Sequence, residues 1–204
     1  MSTAKLPIMN QIKFIAETLL PTSSGQMRLR AYRSTNGTEP IAIVCGSFND
    51  KVPVTVRIHD ACFTSEVLGS LKCDCKAQLD FAVQHIQKND GVVIYLHQEG
   101  RGIGLANKVA AYALQEKGLD TVEANRHLHL PDDDRNYEDA AEILKDLKID
   151  NIHLMTNNPK KISELQELGI TISKRIPILL PHPPEAENYL KTKMLRMGHF
   201  PSTP

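Results

Sequence analysis

The chain has 204 residues, in which 24 Lys and Arg balance 24 Asp and Glu and hydrophobic residues make up 41%. That composition supplies the core of one generous domain and excludes wholesale disorder. A formal net charge of zero argues against an electrostatic partner such as nucleic acid or an anionic membrane. No apolar run nears the roughly 18 residues that span a bilayer, and residues 1–11 show no small-residue cleavage pattern, so a soluble, cytoplasmic protein is expected.

Turn-rich stretches at residues 20–25 and 34–38 flank strand-like segments at 27–33 and 41–45, and residues 52–58 alternate as a further strand. Up to that point the chain reads as an antiparallel meander. The pattern then changes from a period of two to a helical one. Leu79, Val83 and Ile86 share one face of a helix predicted over 76–88, which Asn89-Asp90-Gly91 closes. Residues 92–96 are nearly all apolar, as a buried strand requires. A glycine-rich loop at 97–104 leads into a helix over 105–117, stopped by Gly118. Ala140, Leu144 and Leu147 mark a helix over 137–147, followed by a strand at 152–155, a helix at 160–168 and a strand at 170–176. Pro181, Pro183 and Pro184 precede a last helix over 187–197, and the tail from Phe200 is expected to be mobile. The alternation predicts an α/β fold: a mixed sheet flanked by helices, with N-terminal antiparallel strands, in a single domain. That domain is expected over residues 20–200, between an N-terminal extension at 1–19 and a tail at 201–204.

Four cysteines are present, and Cys62, Cys73 and Cys75 crowd together. Cys45 lies in an apolar run and reads as a small buried hydrophobe. With no export signal, the cluster points to metal binding or catalysis rather than to a disulfide framework. Three soft thiolates suit Zn²⁺. The Cys-x-Cys spacing lacks the paired Cys-x-x-Cys of a structural zinc finger, so a site with an open position is expected, with unliganded thiols as the other reading. His59 and His85 could supply a fourth ligand, although nothing in their spacing demands it. A nucleoside deaminase is excluded because its Cys-x-x-Cys is missing.

Gly100, Gly102 and Gly104 would let backbone approach an anion, with the N–H groups of the next helix behind them. The plain reading is a tight strand-to-helix connection, and no Walker ending is present. Arg101 within the loop tilts it toward phosphate. Thr156-Asn157-Asn158-Pro159-Lys160-Lys161 is a similar junction, and Asp132-Asp133-Asp134-Arg135 reads either as a solvated acidic loop or as a site segment.

Taken together, these segments resemble the GTP cyclohydrolase II family over about residues 20–200. The carriers are Arg57-Ile58-His59, the cysteines in Leu71-Lys72-Cys73-Asp74-Cys75, the run from Gln98 to Leu105, Asn107-Lys108, Tyr112-Ala113-Leu114-Gln115, Asp120 to Asn125, and Thr156 to Lys161. The resemblance implies one catalytic zinc per chain on Cys62, Cys73 and Cys75. It implies nucleotide contacts at Arg57, His59, Gln78, Glu99, Gly100, Arg101, Thr121, Thr156 and Lys161. It assigns a proton acceptor to Asp133, a proposed nucleophile to Arg135 and a further active-site tyrosine to Tyr112. The implied reaction is the first step of riboflavin biosynthesis, taking GTP and water to formate, pyrophosphate and 2,5-diamino-6-(5-phosphoribosylamino)pyrimidin-4(3H)-one. Mg²⁺ would accompany the triphosphate, and a homodimer is implied. The alternative is a family paralogue acting on a purine nucleotide with an incomplete or altered reaction.

The residue types make physical sense of this reading. Opening an imidazole ring needs activated water, which zinc supplies, while Asp133 and Tyr112 are candidates to move protons. Arg101, Lys161 and Arg135 suit the phosphates, and because a guanidinium stays protonated Arg135 reads as an electrostatic clamp, with the covalent role as the alternative. The chain departs from the family pattern around the cysteines: Asp60-Ala61 stands where Ser-Glu is common, Thr64-Ser65 for Thr-Gly, Lys72 for Arg and Lys76 for Gly. Neighbours on an extended segment face opposite ways, so Asp60 is not expected to replace a carboxylate at position 61.

Overall fold

The computed structural model describes residues 11–48 and 53–201. The chain opens with a long hairpin, β1 (Ile12–Thr22) and β2 (Gly25–Ser34), and continues through β3 (Ile41–Cys45) and β4 (Val54–Asp60). Then come α1 (Phe63–Glu66), α2 (Cys75–Asn89), β5 (Gly91–Leu96), α3 (Leu105–Gln115), α4 (Thr121–His127) and α5 (Glu138–Asp146). The last elements are β6 (Asn151–Met155), α6 (Pro159–Glu167), β7 (Thr171–Ile176) and, after a short 3-10 turn, α7 (Glu187–Met197).

One seven-stranded sheet runs β1-β2-β3-β5-β4-β6-β7. The first half is antiparallel through β3 against β5, and β5, β4, β6 and β7 are mutually parallel. This is the expected mixed α/β sheet, but the meander stops earlier than its sequence suggested. β4 does not pair with β3; β5 lies between them. The reason is burial: β4 is buried along nearly its whole length, which suits a central parallel strand rather than one edge of a meander. The expected start of this strand at Val52 lies outside the described residues, as do the expectations for residues 1–10 and 202–204.

The two faces of the sheet carry separate cores, as period-two alternation demands. Ala42, Val44, Val56, Ile58, Val92, Ile94 and Leu154 pack under α5 through Ala140, Ile143 and Leu144, with Leu165 of α6. Val93, Cys45, Met155 and Met27 point the other way, against Ala82 and Ile86 of α2. Cys45 is thus the buried apolar filler that its neighbours implied.

Strand β1 went unpredicted, and the expected domain start at residue 20 falls inside it. Its side chains are exposed on both faces, including Phe14, Ile15, Leu19 and Leu20. A strand with no buried face shows no alternation, and Pro21 reads as a turn signal although an edge strand tolerates it. Helix α4 also went unpredicted, yet Asp120 and Glu123 form a full capping box around it. Phe200 is not loose: its backbone N–H donates to the Asn157 carbonyl at 2.9 Å and Arg175 lies over its ring. Among the described residues no helix is long and apolar enough to cross a membrane.

The loop between β5 and α3 shows why its glycines are needed. Gly100, Arg101 and Gly102 all have positive φ, at 62°, 65° and 91°. Arg101 is the non-glycine in that run, held in a backbone conformation that costs free energy. The N–H groups of Gly100, Gly102 and Gly104 bond within the loop, to Glu99 and Gln98. Gly102 lets the next segment approach. A Cβ there would meet the Asp134 carbonyl carbon and oxygen at 2.9 Å, and Asp134 N donates to Arg101 O at 3.0 Å.

This contact predicts contrasting glycine variants. Gly102→Ala and Gly118→Ala both place Cβ on a positive-φ backbone, but Gly118 has open space around it. Each should lower stability by about 1–3 kcal/mol in urea titration. Only Gly102→Ala should also displace the segment carrying Arg135 and weaken ligand binding; equal binding in both variants would contradict the packing argument.

Candidate active site

Strands β4, β5 and β6 run parallel, and a concave cavity with convergent polar groups opens over their C-terminal ends. From β4 the chain goes to β5 on one side and later returns to β6 on the other. Ligands in open α/β sheets bind at such a reversal. Arg57, His59, Gln78, Glu99, Gly100, Arg101, Tyr112, Thr121, Arg135, Thr156, Lys161 and the three clustered cysteines all line it. Of the expected site residues, Asp133 alone does not.

Cys62 caps α1, while Cys73 and Cys75 lie at the start of α2. The three sulfurs lie within 4.8 Å of one another, with Cys62 Sγ 3.7 Å from Cys73 Sγ. Lys108 of α3 donates to Cys62 Sγ at 3.1 Å, Thr64 Oγ1 at 2.9 Å and Glu99 Oε1 at 2.7 Å. Hydrogen bonds from Cys73 and Cys75, aided by Lys108, hold the Cys62 thiol far below its ordinary value, while the bond to Cys62 pushes Cys73 and Cys75 up. Three thiols so close cannot all ionise unaided, and a soft divalent cation removes that conflict. The donor set fits zinc.

Beside the cysteines, Glu66 accepts from His59 Nε2 at 2.9 Å, Cys62 N at 2.9 Å and Tyr95 OH at 2.7 Å. With Nε2–H engaged by the carboxylate, His59 presents Nδ1 as a lone pair, and that atom is buried without a partner. Burial pushes the His59 pKa down, favouring the neutral ring. On the same side, Arg57 donates to Gln78 Oε1 at 2.7 Å and to the Met155 carbonyl at 3.0 Å. Gln78 Nε2 in turn donates to Asp74 at 2.6 Å.

Asp60 organises the other side. Its Oδ2 accepts from Arg135 Nη1 at 2.8 Å and from Lys161 Nζ at 3.1 Å. Lys161 also donates to the Ile58 carbonyl at 2.8 Å. Burial alone would raise the Asp60 pKa, but Lys161 and Arg135 outweigh it and hold the carboxyl well below its usual range. Burial lowers Lys161 to about 7, with Asp60 opposing only in part. Asp60 is thus committed to Arg135 and Lys161. Glu66 is the carboxylate that reaches the Cys62 backbone.

Asp133 sits behind Arg135, accepting from its Nε at 2.9 Å and its Nη2 at 2.6 Å. Burial favours protonation of Asp133, but the Arg135 hydrogen bond and charge win and keep it below the ordinary value. Burial likewise pulls Arg135 down, yet Asp133 and Asp60 raise it well above normal. A guanidinium gripped by two carboxylates stays charged, which fits a clamp and not a nucleophile. Tyr112 is pushed up to about 12 by burial. Asn158 caps α6, with Pro159 as its first residue, so Lys161 and Thr156 are presented by a fixed turn.

Several lining residues carried no role in the sequence reading: Lys108, Asn125, Tyr189, Lys193 and His199. Asn107-Lys108 was visible as a motif. Tyr189 and Lys193 are spaced i, i+4 on α7, a pattern shared with ordinary solvent faces.

A family model described as GTP cyclohydrolase II matches residues 13–177. The chain is 46% identical over 190 residues to the GTP cyclohydrolase-2 of Picrophilus torridus, covering 93% of this chain and 99% of that one. It is 44% identical over 192 residues to the GTP cyclohydrolase-2 of Salmonella typhimurium, covering 93% and 98%. It is also 47% identical over 196 residues to the riboflavin biosynthesis protein RibBA of Chlamydia muridarum, where it covers 95% of this chain but 46% of that longer protein, about half its length. Matches of this extent leave no ambiguity about kinship: the chain belongs to the GTP cyclohydrolase II family.

Proposed function

We propose that this protein hydrolyses GTP, opening the guanine imidazole ring to release formate, with loss of pyrophosphate, to give 2,5-diamino-6-(5-phosphoribosylamino)pyrimidin-4(3H)-one, as the first step of riboflavin biosynthesis. One observation carries the reading: a three-sulfur cluster and the cations Arg101, Arg135 and Lys161 share a single cavity. A purine ring and a phosphate chain are the two parts of a ligand such a cavity would accept.

Zinc held by Cys62, Cys73 and Cys75, one per chain, would supply Lewis acidity to a water molecule. The chain does the rest. Arg57, Gln78, Glu99, Gly100 and Thr121 orient the nucleotide, and His59 offers its Nδ1 lone pair to a ligand donor. Tyr112 keeps its proton near neutral pH and donates through its hydroxyl. Arg101, Arg135, Thr156 and Lys161 hold phosphate oxygens, with Mg²⁺ accompanying the triphosphate. Asp133 holds Arg135 in place through paired hydrogen bonds, and its proton-accepting role requires Arg135 to release it. Removal of a proton from Lys161 is easy at its lowered pKa, so this lysine can also relay protons. A homodimer accords with the exposed apolar side chains of β1, Phe14, Ile15, Leu19 and Leu20.

Incubation with GTP, Zn²⁺ and Mg²⁺ followed by mass analysis should show formate, pyrophosphate and the ring-opened product. Metal analysis should find about one zinc per chain, and Cys73→Ser should lose most of it along with ring opening. Full zinc in a variant lacking all three cysteines would refute the metal assignment. A product with its imidazole ring intact would favour the paralogue reading.

Lys161 adds a pH test. With its pKa lowered to about 7, it is mostly neutral at pH 8, and a phosphate beside it favours the charged form. Triphosphate binding at pH 8 should therefore take up nearly a full proton, and close to none through this lysine at pH 6, where it is already charged. Calorimetry in buffers of different ionisation enthalpy measures this uptake. Lys161→Arg should abolish it; uptake persisting unchanged in that variant would rule Lys161 out as its source.

A further inference from the structure

The cavity's cations are not equally available to a ligand. Lys108 is engaged by Glu99 and Cys62, Arg135 and Lys161 by Asp60, and Arg57 by Gln78 and a backbone carbonyl. Arg101 differs: among the described residues its Nη1 and Nη2 are buried and meet no acceptor. Such a fork aimed into a cavity calls for an anion.

A second cation comes from α7. Tyr189 and Lys193 stand four residues apart on one face of that helix, and both line the cavity. Among the described residues, Lys193 Nζ forms an ion pair with Asp74 Oδ1 at 3.6 Å, too long for a hydrogen bond, and lies 4.3 Å from the Tyr189 ring centre. The Arg101 guanidinium lies 5.5 Å from the same ring. One aromatic ring thus sits beside two cations: Arg101, whose terminal donors meet no acceptor among the described residues, and Lys193, whose ion pair with Asp74 stands beyond hydrogen-bond distance. The helix is held across the cavity by Arg196 on Asp120 at 2.9 Å, by buried Leu190, and by the Phe200 bond to Asn157. His199, just beyond the helix, is driven down to about 3 by burial and by the convergence of Lys193, Arg135, Arg101 and Lys161.

We propose that Lys193, carried by the C-terminal helix, pairs with Arg101 as a two-cation clamp on the phosphate chain of the bound nucleotide, and is a substrate-binding residue. This rests on the reading of the cavity as a nucleoside-triphosphate site. Arg101 supplies a planar fork and Lys193 a compact ammonium, so one phosphate group can take a bidentate contact while a neighbouring oxygen meets the lysine. An anion between them relieves the repulsion of two like charges around one ring. The Tyr189 ring fixes their separation.

The test uses the full-length, zinc-loaded protein and inorganic tripolyphosphate as the probe, with guanosine as the phosphate-free control. Lys193→Ala and Lys193→Gln should each weaken tripolyphosphate binding about tenfold or more, since a charge-assisted hydrogen bond is lost. Guanosine affinity should stay at the wild-type value, although loss of the Asp74 partner lowers the melting temperature, and the KM for GTP should rise more than kcat falls. The glutamine variant keeps the length and polarity of the side chain, so it answers the question if the alanine variant folds poorly. Tripolyphosphate affinity unchanged in Lys193→Gln, or guanosine affinity falling as much, would overturn the clamp. A wild-type protein that binds tripolyphosphate through Lys193 yet leaves GTP intact would retire the proposed reaction and keep the clamp.

Discussion

The carboxylate of Asp60 is the interaction on which the site depends. It lies largely shielded at the end of β4 and holds two cations, the largely shielded Arg135 and the buried Lys161, on one oxygen. Buried charge is tolerated only when paired. Without Asp60, the ammonium of Lys161, already weakened by burial, would lose its nearest anion and revert to the neutral amine. Arg135 would keep Asp133 but lose the anchor that ties the segment around Asp134 to β4. That segment is the one Gly102 admits, because its carbonyl occupies the space a side chain would need. One carboxylate thus links strand, glycine loop and acidic loop into a single frame.

The alternation of β4 divides the chemistry. Arg57 and His59 project to the α2 side, where Gln78, Glu66 and the cysteines meet them. Ile58 and Asp60 project to the α5 side, where the core under Tyr137 and the cations Arg135 and Lys161 lie. A strand buried on both faces can deliver two unlike environments to one point where it ends. Thiols gather on one flank and the cations Arg135 and Lys161 on the other. The cavity joins them because the strand stops.

Much of this was legible before any coordinates. Helices α2, α3, α5 and α6 and strands β5 to β7 follow from patterns of apolar residues, because each buries one face or both. Strand β1 was hidden because it buries neither face, and α4 because seven residues are too few for periodicity, although its capping box was there to read. The cysteine cluster and Arg101 were visible as residue types with a purpose. Asp60 was not, because its partners, Arg135 and Lys161, lie far along the chain. The placement of Asp133 behind Arg135 and of Lys193 over the cavity is likewise tertiary: no spacing along the chain announces which face of α7 turns inward. The glycine loop left two readings open for a physical reason. Glycine is equally needed where an anion approaches and where another backbone does, and at Gly102 the backbone of Asp134 is what approaches.

The balanced charge of the chain bears on how a ligand is chosen. With 24 basic and 24 acidic residues, the molecule has no net monopole to steer a polyanion from beyond a Debye length of about 8–10 Å. Selection therefore falls to contacts made inside the cavity, where low dielectric strengthens each of them. Most cations there are already answered by carboxylates, so they orient a ligand more than they attract it. Net attraction comes from the groups answered least: Arg101, whose terminal donors meet no acceptor among the described residues, and Lys193, whose pair with Asp74 is long at 3.6 Å; the two share the Tyr189 ring. A ligand with a single weak charge would gain little from such a pair, whereas a chain of phosphates can meet both at once.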